Sequence, residues 1–115
     1  MIVPGISLHA VDVTRAVPAA GMRIEVYRIT GNRTRLIDTV VNESGTLARR
    51  IDTAPVGLYE AVFHIGDYYR AQNITIPEPA FLEEVPFRFG IADETLHYHL
   101  PLKFTPWGFS LFRGA

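Results

Sequence analysis

Cysteine is absent from this chain of 115 residues. Without a thiol there can be no disulfide framework, no cysteine nucleophile and no thiolate metal site. An excess of charge of one sign is also missing, because the formal net charge is -1 and acidic and basic residues are scattered. The chain therefore has no basic stripe that could follow a phosphate backbone, and we expect no nucleic-acid partner.

Long apolar runs are missing too, since none approaches the roughly 20 residues that a membrane-spanning helix needs. Residues 1–4 also lack the cationic start and apolar stretch of a secretion signal. We therefore expect a soluble, cytoplasmic protein with no membrane partner. Apolar residues make up 48% of the chain, which is typical of a globular protein. The length predicts a single domain over residues 1–115.

Helical periodicity is nearly absent, whereas β-branched and aromatic residues recur in short segments separated by Gly, Pro, Asn and Asp. This pattern predicts an all-β, two-sheet sandwich of about eight strands. One short helix is predicted at residues 67–72, where Asp67 could cap the first turn, and three prolines make residues 76–86 a loop. The predicted strands are 6–13, 22–29, 34–41, 47–52, 57–65, 87–91, 96–104 and 107–112.

Four histidines are candidate general bases, because imidazole titrates near neutral pH. His97 and His99 are two residues apart in a predicted strand, so their side chains leave the same face of the sheet. This spacing also suits two zinc ligands, but only His9 could supply the third, and no carboxylate is evident beside them. The alternative is a solvent-facing His97 and a packed His99. His64 is interpreted as a surface or packing residue.

Three segments carry a family resemblance. Residues 97–115 read HYHLPLKFTPWGFSLFRGA, residues 7–21 read SLHAVDVTRAVPAAG, and residues 57–69 read GLYEAVFHIGDYY. The first resembles the C-terminal signature of the transthyretin/5-hydroxyisourate hydrolase family, H-Y-H-V-P-L-L-L-S-P-[FYW]-G-Y-S-T-Y-R-G-S, and stops in register with it. The others are similar to the family's T-H-V-L-D-x-x-x-G-x-P-A-x-G and G-x-Y-x-L-x-F-x-x-x-x-Y-F, so the resemblance covers nearly the whole chain.

The resemblance implies a transthyretin-like sandwich assembled as a homotetramer, a dimer of dimers with active sites between the dimers. It implies an enzyme of urate degradation that opens the ring of 5-hydroxyisourate by adding water, with no metal or other cofactor. Carried over by position, His9 and His99 match the two catalytic histidines, which orient and deprotonate the water. General base catalysis of this kind typically contributes about 10²- to 10⁴-fold in rate.

The sequence departs from the family pattern at a turn that carries a substrate-binding arginine. The family's D-G-R aligns with residues 44–46, SGT, so Thr46 stands where that arginine is expected. The bidentate donor suited to an anion is therefore missing at this position. Arg49 or Arg50 could replace it.

Other departures lie near the C-terminal end of the pattern. Lys103 stands where the family has Leu, and strand alternation places it on the same face as the two histidines of that strand. The family's Y-R-G-S becomes residues 112–115, FRGA, which removes two hydroxyls while Arg113 is kept. The expected substrate-binding residues are Thr46, Arg49, Lys103, Phe112, Arg113 and Ala115.

The sequence is compatible with three functions. The first is ring opening of 5-hydroxyisourate by a water that the histidines activate. The second is proton-transfer chemistry on a different heterocyclic or carbonyl substrate, because coordinated changes in a pocket alter which substrate it selects. The third is a non-catalytic small-molecule carrier, against which the retention of both histidines argues.

Overall fold

The computed structural model describes residues 4–114 and confirms a sandwich of two four-stranded sheets with one short helix. The first sheet has the order β2-β1-β7-β8 and the second β4-β3-β5-β6. The elements are β1 Gly5–Asp12, β2 Val17–Pro18, β3 Arg23–Thr30, β4 Asn32–Val40, β5 Gly57–Phe63, α1 Ile65–Ala71, β6 Val85–Ile91, β7 His97–Thr105 and β8 Gly108–Leu111. Within these residues no helix has the length and apolar character needed to cross a bilayer.

Alternation along the strands of the first sheet separates the core from an outer, polar face. On β1, Leu8 and Ala10 are buried between the sheets, while Ser7 and His9 are only partly covered. Successive side chains of a strand point to opposite faces, so both polar residues belong to the outer face. β7 behaves in the same way, and its buried residues are Tyr98, Leu100, Leu102 and Phe104.

The two central strands of the first sheet, β1 and β7, run parallel to each other. Ser7 is paired with His99 and His9 with Pro101. The polar residues of the two strands therefore lie next to one another on the outer face.

A buried carboxylate ties the end of β1 to the helix. Asp12 has no exposed surface and accepts hydrogen bonds from the Tyr69 hydroxyl at 2.7 Å and the Tyr68 hydroxyl at 3.1 Å. Burial, together with the carboxylate of Asp12, raises the pKa of Tyr68 to about 12. Both tyrosines therefore remain protonated donors, and α1 is fixed against the first sheet.

Two expectations about local structure were wrong. Residues 47–52 form no strand: Leu47 makes an isolated pair with Val41, and Ile51 makes another with Ile6 on a different sheet. A segment that contacts two sheets in turn cannot run along one of them, and β2 instead completes the count of eight.

The helix also differs from its expected start. It begins at Ile65, whose side chain is fully buried, and the cap residue His64 makes no side-chain cap bond. Asp67 lies inside the first turn, where it accepts a hydrogen bond from Arg70 at 3.0 Å. Packing of Ile65, rather than capping by Asp67, therefore sets the start of the helix.

Candidate functional site

Three histidines meet on the outer face of the first sheet. His9 comes from β1, and His97 and His99 come from β7. Because Ser7 is the register partner of His99, His9 lies diagonally across from His99. Ordinary strand spacings put their Cα atoms about 8 Å apart, close enough for both rings to reach one small molecule.

The Ser7 hydroxyl joins the two imidazoles of β7. Its oxygen lies 2.6 Å from His97 Nε2 and 2.8 Å from His99 Nδ1. The far nitrogen of His97, Nδ1, lies 3.5 Å from the carbonyl oxygen of Pro4. A hydroxyl can donate one hydrogen bond and accept others, so Ser7 can hold both rings at once.

His9 is held by the turn that follows β4. Its Nε2 donates to the carbonyl oxygen of Ser44 at 3.2 Å. A carbonyl can only accept, so the neutral ring carries its proton on Nε2 and leaves a lone pair on Nδ1. The side-chain oxygen of Asn42 fixes this turn by accepting from the backbone N–H groups of Ser44 and Thr46, each at 3.0 Å.

A glycine allows that turn to approach His9. Gly45 has a φ of +88°, and a Cβ built on it would lie 2.8 Å from His9 Nε2. Its carbonyl accepts from the backbone N–H of Ala10 at 2.8 Å. Any other residue would displace the imidazole or the turn, so Gly45 sets the position of the ring.

A second glycine lies against His99. The backbone N–H of Gly114 donates to the His99 carbonyl at 2.7 Å, and a Cβ on Gly114 would lie 3.0 Å from His99 Cδ2. Both candidate catalytic rings are thus packed against backbone on one side. This contact restricts the rotation of each ring.

Burial lowers the pKa of His99 below its ordinary value, and repulsion from His97 and then His9 lowers it further. The ring is therefore neutral at neutral pH. A neutral imidazole can accept a proton from water, which is the property that a general base needs.

A cleft of about 460 Å³ opens beside this cluster. Ser7 and His97 form part of its wall, together with Thr46, Arg50 and Ile51. Arg50 is exposed and lies 3.4 Å from the carboxylate of Asp52. The cleft therefore brings a cation and several polar groups to the edge of the histidine cluster.

The predicted anion-binding residues are placed differently from one another. Lys103 lies on the outer face of β7, two residues beyond Pro101, and makes no ion pair within residues 4–114. Thr46 pairs directly with His9. Arg49 is exposed and is not part of the cleft wall. Lys103 and Thr46 therefore border the histidines, and Arg50 is closer to the cleft than Arg49.

The C-terminal residues are also spread out. The guanidinium of Arg113 lies 4.1 Å from the ring centroid of Tyr98 and 3.4 Å from the His97 carbonyl. Tyr98 leaves β7 on the core side, so Arg113 is drawn away from the imidazoles in the structure. Phe112 is exposed, and Ala115 lies outside the described residues.

Sequence reasoning missed Ser7 and gave His97 no role in the site. The available signal was the pair of motifs S-x-H and H-x-H, which place two polar side chains on one face of each strand. The zinc interpretation of H-x-H finds no third ligand, because residues 4–114 contain no group of three His, Cys, Asp or Glu arranged for a metal. His64 has a packing role, buried 2.7 Å from Glu25 in the second sheet.

Comparisons with known sequences agree along nearly the whole chain. The model of the family described as HIUase/Transthyretin matches residues 6–114. "5-Hydroxyisourate hydrolase 2" of Rhizobium meliloti (strain 1021) is 44% identical over 115 residues, which cover 96% of this chain and 95% of the relative. "5-Hydroxyisourate hydrolase" of Pseudomonas aeruginosa is 41% identical, covering 96% of this chain and 90% of the relative.

Solved structures share the fold. A crystal structure of (S)-allantoin synthase superposes with a TM-score of 0.89 at 31% identity, over 96% of this chain and 43% of that chain. A 5-hydroxyisourate hydrolase of Klebsiella pneumoniae gives a TM-score of 0.80 at 23% identity, covering 97% of this chain and 99% of its own. Sea bream transthyretin in complex with thyroxine gives 0.86 at 22% identity, covering 96% and 95%. At these two lower identities the likeness concerns the fold alone.

The contact between Gly45 and His9 can be tested with a matched pair of glycine variants. Gly45→Ala and Gly21→Ala both place a side chain at a φ of +88°, but a Cβ on Gly21 would meet no heavy atom within 4 Å outside its two chain neighbours. Each should lose about 1–2 kcal/mol of unfolding free energy in urea denaturation because of the left-handed backbone. Only Gly45→Ala should shift the side-chain NMR signals of His9. Equal His9 shifts in both variants would mean that this contact does not position the ring.

Proposed function

The chain belongs to the HIUase/transthyretin family, and we propose on this basis that it is a hydrolase that opens the ring of 5-hydroxyisourate by adding water. The observation that supports this function most directly is the pair of His9 and His99, adjacent on one outer face, with His99 kept neutral by burial. Seven curated bacterial relatives between 31% and 44% identical carry the hydrolase name.

The proposed reaction begins with a water bound between the two imidazoles. His99 accepts a proton from this water, while Nδ1 of His9 accepts its second hydrogen bond and orients the oxygen. The oxygen attacks a ring carbonyl carbon and forms a tetrahedral oxyanion. The C–N bond then breaks as the carbonyl reforms, and the ring nitrogen takes the proton from the His99 imidazolium. No proton is gained or lost by the enzyme over the cycle.

The substrate needs a positive anchor, since urate-like rings ionise readily. We propose that Lys103 supplies this charge, because it lies on the same face as His99 and has no ion-pair partner within residues 4–114. Arg50, and more distantly Arg49, can supplement it from the cleft side. Thr46 is proposed to contact the substrate beside His9.

The residues at the end of the chain are proposed to line the substrate pocket. Phe112 is exposed and can cover the face of a planar ring. Ala115, which lies outside the described residues, is proposed as a substrate-binding position on the family resemblance alone. Arg113 contributes by holding β7 through Tyr98 unless substrate binding releases it.

The hydrolase is tested with freshly prepared 5-hydroxyisourate, whose decay is followed by absorbance. The purified protein should accelerate the decay, and His99→Ala or His9→Ala should each reduce kcat/KM by about 10²- to 10⁴-fold. In the wild-type protein kcat/KM should fall as the pH decreases, because protonated His99 cannot act as a base. The inflection should lie below the ordinary imidazole pKa of about 6.5.

Two outcomes would contradict this function. A wild-type protein that leaves the spontaneous decay rate unchanged is not a hydrolase of this compound. A His99→Ala variant with full activity would remove the proposed base. Circular dichroism of each variant serves as the control for folding.

If Lys103 anchors the substrate, its replacement should change KM more than kcat. Lys103→Met should raise KM by about 10- to 100-fold, the range of a charged hydrogen bond, with a smaller effect on kcat. Lys103→Arg keeps the charge and should remain close to wild type. Arg50→Met and Arg49→Met provide the comparison. If Lys103→Met leaves KM unchanged while Arg50→Met or Arg49→Met raises it, the substrate anchor is that arginine instead.

Edge strands support a homotetramer built as a dimer of dimers, with one domain per subunit. β8 ends the first sheet and β6 ends the second, so each leaves unpaired backbone groups that a second copy can bond. Phe109 on β8 is 44% exposed, which is a large apolar area for a free edge. We propose that these edges form the dimer and that the histidine faces of two dimers meet around the substrate.

Sedimentation velocity tests this assembly. The wild-type protein should sediment as four subunits of 12.9 kDa. Phe109→Glu should give smaller species because it places a charge in the proposed contact. Val56→Glu changes a similarly exposed residue in a loop and should leave the tetramer intact. A monomeric wild-type protein at the concentration used for turnover would contradict the assembly.

A further inference from the structure

We propose that Ser7 and His97 are positioning residues for His99: together they hold its ring in the tautomer with hydrogen on Nδ1, so that Nε2 presents the lone pair that removes the proton from water. The role assigned to Ser7 and His97 rests on the proposed hydrolase activity of His99. The proposal rests on a row of hydrogen bonds. The row begins at the carbonyl of Pro4, passes through His97 and Ser7, and ends at His99.

The row starts at a group whose chemistry is fixed. The carbonyl oxygen of Pro4 can only accept, and it is the hydrogen-bonding partner of His97 Nδ1 in the described part of the chain. Nδ1 of His97 therefore carries hydrogen. When the His97 ring is unprotonated its other nitrogen, Nε2, has a lone pair and must act as an acceptor, so the row applies at a pH where His97 carries no charge.

The next bond uses the only hydrogen of the serine hydroxyl. Ser7 Oγ lies 2.6 Å from His97 Nε2, a short separation for an O–H donor. Because Nε2 accepts, Ser7 donates its hydrogen there. The oxygen keeps two lone pairs and can only accept any further bond.

The last bond therefore runs in one direction. His99 Nδ1 lies 2.8 Å from Ser7 Oγ, and since this oxygen can only accept, His99 must donate from Nδ1. The lowered pKa keeps the ring neutral, so Nε2 is left without hydrogen. Within residues 4–114 no hydrogen-bond partner reaches His99 Nε2, and the lone pair is available to a bound water.

Backbone pairing makes this row rigid. Ser7 and His99 are register partners on β1 and β7, and Gly5 is the partner of His97. Gly114 packs against the Cδ2 edge of His99, which restricts ring flips. A wrong tautomer would present an N–H to the water and remove the base, so the direction of the row matters for the rate.

Variants at Ser7 and His97 test this assignment by kinetics. Ser7→Ala and His97→Phe should each lower kcat by about tenfold or more, with KM changed by less than about twofold, because the substrate contacts remain. Ser7→Thr retains the hydroxyl and should recover most of the rate. Thr34→Ala removes an exposed hydroxyl from β4 of the second sheet and should have little effect. A Ser7→Ala variant with wild-type kcat would overturn the assignment.

Nitrogen-15 NMR of labelled histidine gives a readout that does not depend on activity. Above the pKa, His99 in the wild-type protein should show a protonated Nδ1 and an unprotonated Nε2, and this preference should be lost in Ser7→Ala and His97→Phe. A wild-type His99 protonated on Nε2 would overturn the proposal whatever the turnover. The expected tautomer together with no turnover of 5-hydroxyisourate would instead reject the proposed function and leave the positioning row intact.

Discussion

The parallel pairing of β1 with β7 is the constraint on which the site depends. Its register sets Ser7 opposite His99 and places His9 one step along the same face. A shift by one residue would send every one of these side chains into the core, because alternate residues of a strand point to opposite faces. The buried residues of both strands, including Leu8 and Leu100, oppose such a shift. The hydrophobic core therefore fixes the geometry of the polar face.

The register between β1 and β7 could not be predicted from the sequence. Alternation is a local property, and it correctly placed His97 and His99 on one face. The contact between Ser7 and His99 joins positions 92 residues apart, and no local pattern reports which strands become neighbours. The family resemblance supplied the sandwich and the two histidines, but it could not supply the hydroxyl between the rings.

Local signals also failed where tertiary packing decided the outcome. The sequence predicts a short strand at residues 47–52, yet Leu47 and Ile51 are buried against different sheets. Asp67 has the chemistry of a helix cap, yet the buried Ile65 starts the helix earlier. In both cases burial outweighed the local preference.

In the proposed reaction, the charges around His99 make its strength as a base depend on whether substrate is bound. Without a ligand, burial and the neighbouring imidazoles of His97 and His9 disfavour a positive charge on the His99 ring. In the proposed reaction an anionic substrate would act in the opposite direction, because a nearby negative charge stabilises the imidazolium that forms when water loses its proton. The strength of His99 as a base would therefore depend on whether the site is occupied, and the size of that effect would depend on the distance between the anion and the ring.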